Sequence, residues 1–321
     1  MSEKRRPYTG QDLAFIVPTK DRPQKMRNLL ESLVAQQVAC ARIIVVASGK
    51  SIEGLVLSFT DRLPVEYYHC DPPGQIRQRN LGISKLDDRT SLVGSLDDDV
   101  VLEEGALAAM LDFWNRCEPE TAGVSFNVIT NPRYQYSWTK ALIGMSSRRQ
   151  GVVLPSGYNT AISPVESDLR SQWLCGGATV WRQEILTRYT NREVSSRWAI
   201  GEDVMFSYPI GKTYPLYVCA AARLRHEHVY DHVSSHKERY YGRTVTLWRL
   251  HFAHANEDLS TLACIWMLLG QVLLRLTYGL AYRESAHIHY AAGQLEGLKT
   301  GLGALLRKVD LVEVVREDLS L

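Results

Sequence analysis

Two hydrophobic rhythms alternate along the first 130 residues of this 321-residue chain. Short apolar runs, typical of buried strands, are separated by segments whose apolar residues recur every three or four positions. The runs that predict strands are Leu13–Val17, Arg42–Val46, Val65–Tyr68, Ser91–Leu96 and Gly123–Phe126. The clearest helical face consists of Met26, Leu29, Leu30, Leu33 and Val34, in a helix that Pro23 is suited to start.

Further helices are predicted over Ile52–Phe59, Gln75–Leu86 and Glu103–Trp114, and a later strand over Leu216–Ala222. Strands that alternate with helices predict an α/β fold, a Rossmann-like doubly wound and mostly parallel sheet. Ligands of such sheets bind beyond the carboxyl ends of the strands, so the residues that directly follow each strand are the first candidates for chemistry.

The segment Thr130–Ser171 has a weaker rhythm, because Pro132, Pro155 and Pro164 interrupt it. We expect loops and short helices there, in a lid or an acceptor-binding region.

The C-terminal part of the chain is more apolar. Leu259–Tyr282 carries one charged residue, Arg275, and its uncharged run Leu259–Leu274 is shorter than the roughly 18 residues expected of a membrane span. Three interpretations stay open: a helix packed within the protein or against a second copy, a helix at a membrane surface, and a true span. Trp266, Tyr278 and Tyr282 suit a headgroup boundary.

The expected organisation is therefore a catalytic domain over residues 1–250 and a helical region over residues 251–321. The stretch Glu296–Lys308 places basic residues beside apolar ones, so membrane-surface contact is expected through residues 259–308, with homo-oligomerisation as the alternative.

Composition excludes several other classes of protein. The 37 basic and 35 acidic residues nearly balance, which leaves no global field for a nucleic acid partner. The six cysteines include no CxxC pair, and the charged start MSEKRRPYTGQD lacks the apolar stretch of a signal peptide. These features predict a cytoplasmic protein with reduced thiols, or one peripheral on the cytoplasmic face of the membrane.

The strongest chemical signal is Asp97-Asp98-Asp99, directly after a predicted strand. Neighbouring carboxylates repel one another, so a folded site needs a cation or raised pKa values to hold them. Mg²⁺ or Mn²⁺, which prefer oxygen ligands, would supply that cation. The alternative is a solvated acidic turn that caps the following helix.

Two further clusters are weaker when taken alone. Glu202 and Asp203 directly follow Gly201. Two interpretations fit them: a pair of carboxylates that acts on a substrate, or the acidic first turn of a helix. His226 and His228 alternate along an extended segment, so both imidazoles share a site, or one binds metal while the other lies at the surface.

In order along the chain, these segments resemble the inverting, metal-dependent family 2 glycosyltransferases of the GT-A fold. The resemblance spans about residues 13–249, and the matching motifs are Phe15–Arg22, Gly74–Gly82 (GQIRQRNLG), Asp97–Asp99 as DxD, Trp173–Trp181, Gly201–Asp203 as the ED motif, His226 and Arg239–Arg243 (RYYGR).

The resemblance implies transfer of a sugar from a nucleotide-diphosphate donor to a hydroxyl of a glycan or lipid-linked acceptor. It assigns Mn²⁺ or Mg²⁺ to Asp99 and His226, with His228 as the alternative ligand. Asp203 is the implied general base, and Glu202 orients the acceptor or donor. The implied nucleotide-sugar contacts are Pro18, Thr19, Arg22, Ser48, Arg79, Asp97 and Asp98, and the implied acceptor or sugar contacts are Trp173, Gly176, Gly177 and Trp181.

One segment departs from the family pattern. The second strand of the family ends in an acid that binds the nucleotide base, whereas Val45–Ser51 reads VVASGKS and has no carboxylate. Ser48 or a backbone group is the expected replacement. Two rival functions remain at this stage: a nucleotidyltransferase, and a catalytically degenerate GT-A binding or scaffold protein.

Overall fold

The computed structural model describes residues 6–162, 164–189, 201–227 and 235–317. The chain divides into two compact units. The first comprises Met1–Tyr134, Ile162–Glu193 and Phe206–His228, and the second comprises Gln135–Ala161, Val194–Met205 and Val229–Leu321. Each unit buries a hydrophobic core of its own.

Within the described residues, the first unit contains one nine-stranded sheet. Its strands are β1 (Leu13–Lys20), β2 (Arg42–Ser48), β3 (Val65–His69), β4 (Leu92–Leu96), β5 (Val100–Leu102), β6 (Gly123–Val128), β7 (Leu169–Ser171), β8 (Ala178–Arg182) and β9 (Leu216–His226). The order is β3-β2-β1-β4-β8-β6-β9-β5, and β7 also pairs with β9.

The sheet is mixed, and its four strands nearest the N-terminus of the chain pair in parallel. Strands β3, β2, β1 and β4 are parallel neighbours, and β6 is parallel to β9. Strand β8 is antiparallel to both β4 and β6, while β5 and β7 are antiparallel to β9. The predicted doubly wound, mostly parallel sheet with C-terminal helices is confirmed.

The helices follow a short 3₁₀ turn at Gly10–Asp12. They are α1 (Pro23–Val34), α2 (Glu53–Leu57), α3 (Gln75–Ile83), α4 (Ala106–Arg116), α5 (Trp138–Leu142), α6 (Gln183–Arg188), α7 (Glu202–Thr213), α8 (Ser235–Ala255), α9 (Thr261–Tyr282), α10 (Ser285–Arg307) and α11 (Leu311–Glu317). Helix α1 begins at Pro23 and buries Met26, Leu29, Leu30 and Leu33, the apolar face that its sequence predicts.

Three strands have no counterpart among the predicted elements. Strands β5 and β7 have three residues each, too few for a periodic signal. Strand β8 overlaps the C-terminal end of the Trp173–Trp181 segment, which the sequence assigns to an acceptor motif and not to a strand. Its burial on both faces follows from its place between β4 and β6.

The segment 130–171 contains loops and one short helix, α5, as its broken rhythm predicts, and it also contributes β7. Its residues are divided between the two units, with 135–161 in the second. Its role in acceptor binding stays a prediction.

Helices α8 and α10 pack closely in the second unit because glycines line their contact. A Cβ at Gly293 or Gly297 of α10 would collide with the Arg239 or Arg243 carbonyl of α8, and one at Gly242 would collide with the Tyr290 carbonyl. Without Cβ atoms, the two backbones approach directly.

Helix α8 runs continuously across residue 250, and the second unit includes it whole. The extent of the catalytic domain therefore stays a prediction, since compactness alone does not define where catalysis ends. By length and composition α9 is the one helix among the described residues that could cross a membrane. One side of α9 is nevertheless buried, where Cys264, Met267 and Leu268 pack with Leu250.

Candidate active site

The three aspartates lie where β4 ends. Strand β4 is parallel to β1, and Asp97, Asp98 and Asp99 follow its last residue, Leu96. The chain then forms β5, whose first residue, Val100, is paired with His226 at the end of β9. This antiparallel pairing brings a histidine far along the chain to the aspartate cluster.

Asp99 accepts from three basic side chains, those of His226, Lys25 and, at the longer distance of 3.4 Å, Arg22. Its Oδ1 lies 2.9 Å from Nε2 of His226, and its Oδ2 lies 3.1 Å from Nζ of Lys25. Burial opposes ionisation of the carboxyl, which is 7% exposed, but the bonds from His226 and Lys25 outweigh burial and hold the pKa of Asp99 well below its ordinary value. Asp99 is therefore an anion at neutral pH.

Asp98 is directed into the sheet and anchors the start of α1. Its Oδ2 accepts from Oγ1 of Thr19 at 2.6 Å, and its Oδ1 accepts from Nη1 of Arg22 at 3.1 Å. Burial is the largest influence on this carboxyl and raises its pKa, although Thr19 and Arg22 oppose the increase. Its contacts are those of a residue that fixes the loop between β1 and α1.

Asp97 is held by α3 and by the segment before β8. Its Oδ1 accepts from Nη2 of Arg79 at 2.8 Å and from Nε2 of Gln75 at 3.0 Å. Its backbone N–H donates to the Gly177 carbonyl at 2.9 Å. A Cβ at Gly177 would overlap the Asp97 carboxylate, so this approach requires glycine.

Asp97, Asp99 and His226 together fit a divalent cation. One ligand atom from each lies within 4.8 Å of the others. Two carboxylates and an imidazole are donors that suit Mn²⁺ and also accept Mg²⁺. A cation at these three atoms would offset the repulsion between the carboxylates.

The ends of β1 and β2 border this cluster. Pro18 and Thr19 pair with Val46 and Ala47, and Gln78 of α3 joins both strands by donating to the carbonyls of Thr19 and Val46, each at 2.7 Å. Ser48, expected to replace the base-binding acid, is instead 1% exposed and donates its hydroxyl to the Cys70 carbonyl at 2.8 Å. Its observed role is to connect β2 with the end of β3.

Comparison with known families agrees with this geometry. Residues 14–169, which include nearly all of β1, the whole of β2 to β6 and the three aspartates, match the family model described as Glycosyl transferase family 2. These residues belong to glycosyl transferase family 2. The chain is a glycosyltransferase, and the family resemblance of its sequence is confirmed.

Solved structures show the same fold at low sequence identity. The crystal structure of S. aureus TarS 1-349 is 15% identical, with a TM-score of 0.51 and 92% of each chain covered. The mannosyltransferase PcManGT from Pyrobaculum calidifontis, in complex with GDP-Man and Mn²⁺, is 13% identical, with a TM-score of 0.54 and 91% of this chain and 88% of that chain covered. Both support the GT-A fold. A search of curated protein sequences found no match.

In this glycosyltransferase, the segment Trp173–Trp181, predicted to contact the acceptor or sugar, is divided between the aspartate cluster and the core. Gly177 lies against Asp97, and Gly176, its neighbour, is half-buried. Trp181 is 3% exposed and packs edge-on against Phe206, while Trp173 is also buried. The contacts of Trp181 are those of a core side chain, so they lend no support to its predicted contact with an acceptor.

Three predicted residues stay apart from this description. Glu202 and Asp203 lie in the second unit, where they are half-buried and form the acidic first turn of α7. Their predicted action on substrate stays a prediction. His228, the alternative metal ligand, lies outside the described residues.

Several contacting residues were missed by sequence reasoning. Lys25 donates both to Asp99 and to the Glu227 carbonyl, the latter at 3.0 Å. Gln75 and Gln78 belong to the GQIRQRNLG motif on α3. The motif predicts the helix, but it does not indicate that Gln75 donates to Asp97 or that Gln78 donates to the Thr19 and Val46 carbonyls. Asp21 accepts from the Lys50 N–H at 2.8 Å and so places a carboxylate beside the end of β2, where Val45–Ser51 itself has none.

Proposed function

We propose that the protein transfers a sugar from a nucleotide-diphosphate donor to an acceptor hydroxyl, with inversion at the anomeric carbon. The observation that carries the proposal is the convergence of Asp97, Asp99 and His226 at the carboxyl end of β4. Ligands of doubly wound sheets bind at such strand ends, and a diphosphate needs a concentration of positive charge there.

Asp97, Asp99 and His226 are the proposed ligands of Mn²⁺ or Mg²⁺. The bound ion would stabilise the negative charge that develops on the leaving diphosphate. The structure of PcManGT with GDP-Man and Mn²⁺ supports a nucleotide sugar and a divalent ion for this fold. The proposal names neither the base nor the sugar of the donor, since the acid that contacts the base in the family is absent from the end of β2.

The two arginines of the site, Arg22 and Arg79, have different proposed roles. Arg79 is buried and holds Asp97, so its proposed role is to position that carboxylate. The Arg22 side chain is 53% exposed while it pairs with Asp98 and Asp99, which leaves much of its guanidinium open to solvent. Arg22 is the proposed phosphate contact, because a guanidinium can pair with two oxygens at once.

Asp203 is the proposed general base, which takes the proton of the acceptor hydroxyl as that oxygen attacks the anomeric carbon. Glu202 is proposed to orient the acceptor or donor sugar. Both assignments rest on the match of Gly201–Asp203 to the family's ED motif at the start of a helix.

The proposed acceptor is a glycan or a lipid-linked glycan in the synthesis of cell-surface polysaccharide or glycolipid, at the cytoplasmic face of the membrane. The apolar α9 supports this choice, because a lipid-linked acceptor requires an enzyme near lipid.

Release of nucleoside diphosphate from a panel of nucleotide sugars tests the proposal. The purified chain is assayed with Mn²⁺, with Mg²⁺ and with EDTA, next to Asp99→Asn and to Asp61→Asn as an exposed control. We expect metal-dependent release that Asp99→Asn reduces by about 100-fold or more and that the control retains. Release of inorganic diphosphate from nucleoside triphosphates would indicate a nucleotidyltransferase, and binding without release would indicate a degenerate member.

A further inference from the structure

The second unit exposes large apolar side chains on two of its helices. We define the apolar face as Trp138 and Leu142 of α5 with Leu262, Trp266, Leu269 and Leu273 of α9. Leu262 is 79% exposed and Leu273 is 64% exposed, so both side chains are left largely uncovered by the part of the chain that the structure describes. Residues of this size rarely cluster on the surface of a protein without a partner.

Contacts between α5 and α9 make this face continuous. The α9 members are separated by four, three and four residues, so they lie along one side of that helix. Nε1 of Trp266 donates to the Leu142 carbonyl at 3.1 Å, and a Cβ at Gly270 would contact the Ile143 side chain. Helix α5 is thereby fixed beside α9, with Trp138 and Leu142 outermost.

The opposite side of α9 is committed to the protein core. Cys264, Met267 and Leu268 are fully buried and pack in one cluster with Leu247 and Leu250 of α8. A helix that spanned a bilayer alone would give up these contacts. The arrangement favours a helix that lies in a surface plane with one side on the protein.

Residues 135–161 and α9, which together form the apolar face, carry charges of one sign, although the exposed acids Glu257 and Asp258 come shortly before α9. Residues 135–161 contain Lys140, Arg148 and Arg149 but no acid, and α9 contains Arg275 but no acid. Lys140, Arg148 and Arg149 are all exposed. The guanidinium of Arg148 lies over the Tyr136 ring, and the Ser137 N–H donates to Oγ of Ser146, which keeps this basic segment beside α5.

We propose that the apolar face is a docking surface for an anionic lipid bilayer. In this arrangement Leu262, Leu269 and Leu273 enter the acyl boundary, and Trp138 and Trp266 lie at the headgroup level. The three basic side chains pair with lipid phosphates.

A second copy of the chain fits the face less well than lipid does. A two-fold interface would bring the same basic residues of both copies together, and neither residues 135–161 nor α9 contain an acid to pair with them. An anionic surface satisfies the apolar and the basic residues at the same time.

Flotation with lipid vesicles tests the proposal on the full chain without any donor or metal, so the result is independent of the proposed chemistry. Vesicles of phosphatidylcholine alone are compared with vesicles that contain phosphatidylglycerol. The variants are Leu262→Gln with Leu273→Gln, Arg148→Gln with Arg149→Gln, and Leu57→Gln as an exposed leucine of the first unit. Circular dichroism and gel filtration monitor folding and size.

We expect the chain to float with anionic vesicles and to bind phosphatidylcholine much more weakly. Both double variants should weaken anionic binding by at least about tenfold, while Leu57→Gln binds as the parent does. Absence of flotation, or equal flotation of folded double variants, would overturn the proposal. A dimer that only the leucine double variant dissociates would also overturn it, because the face would then bind a second copy. Vesicle binding that high salt and alkaline carbonate fail to release would overturn it as well, because such binding indicates a membrane span.

Discussion

Nε2 of His226 lies 2.9 Å from Oδ1 of Asp99, although 127 residues separate the two in the chain. The pairing of β5 with β9 creates this contact, since Val100 and His226 are register partners. The imidazole holds the carboxylate ionised, and it completes the group of three side chains that could hold a metal ion. The contact makes His226 the clearest target for a test of the metal site.

Replacement of His226 by Ala should weaken Mn²⁺ binding by at least about tenfold, because losses of this size accompany even outer-shell changes at metal sites. Titration calorimetry with Mn²⁺, and the increase in melting temperature on adding Mn²⁺, measure the effect. His254→Ala, at an exposed position of α8, is the matched control. Equal Mn²⁺ affinity of the two variants would exclude His226 as a ligand.

Gly177→Ala should impair the site while leaving the fold in place. The new Cβ would overlap the Asp97 carboxylate and displace it from Arg79 and Gln75. We expect a cost of about 1–3 kcal/mol in donor binding, which corresponds to an increase of roughly 5- to 150-fold in KM.

Gly54→Ala is the control for that change, because an added Cβ at Gly54 meets nothing within 4 Å. It lies inside α2, where alanine is the better helix former, so its melting temperature should not fall. Donor KM values that are equal in Gly177→Ala and in the parent would contradict the close packing of Asp97.

Asp203→Asn should reduce sugar transfer by about 10²–10⁴-fold, the contribution that general bases commonly make. Donor affinity in the presence of Mn²⁺ should change little, since the proposed metal ligands lie elsewhere in the chain. Transfer is measured by nucleoside diphosphate release and donor affinity by calorimetry, with Asp61→Asn alongside. A variant with normal turnover would remove Asp203 from the proposed role.

Glu66→Gln should lower the stability of the first unit in a pH-dependent way. Arg42 donates from Nε to Oε1 of Glu66 at 2.7 Å and from Nη2 to Oε2 at 2.9 Å, and these bonds lower the pKa of Glu66. We expect a loss of about 1 kcal/mol at pH 7, by urea unfolding.

The sign of the pH dependence follows from the lowered pKa. The stabilisation by ionised Glu66 is complete above its ordinary pKa of 4.5 and is lost as the pH falls through the lower folded-state value. The difference between Glu66→Gln and the parent should therefore shrink below pH 4.5. Glu104→Gln, at an exposed acid, should show no such trend, and a constant difference for Glu66→Gln would reject the assignment.

Local sequence predicted much of the sheet and one side of the site. The five early strands and α1 were predicted because burial on a sheet or helix face leaves a short-range period in the chain. The aspartates were located because they directly follow β4, where an α/β sheet presents ligands. Glu202 and Asp203 were located only by resemblance to the ED motif, because they do not directly follow a strand of the sheet.

Contacts between distant elements were beyond local sequence. The hydroxyl of Ser48 donates to the Cys70 carbonyl, and Trp181 packs on Phe206. Neither partner is marked in the sequence around Ser48 or Trp181. Lys25 and Gln78 were missed for the same reason, because each contacts residues of other elements.

By itself, the sequence determined the α/β alternation, the family and the three acidic residues after β4, because periodicity and motif order are local properties. Only the tertiary structure decided that β8 enters the middle of the sheet and that β9 brings His226 to Asp99. The choice of strand neighbours depends on which distant faces bury each other best, and the local pattern of either strand does not contain that information.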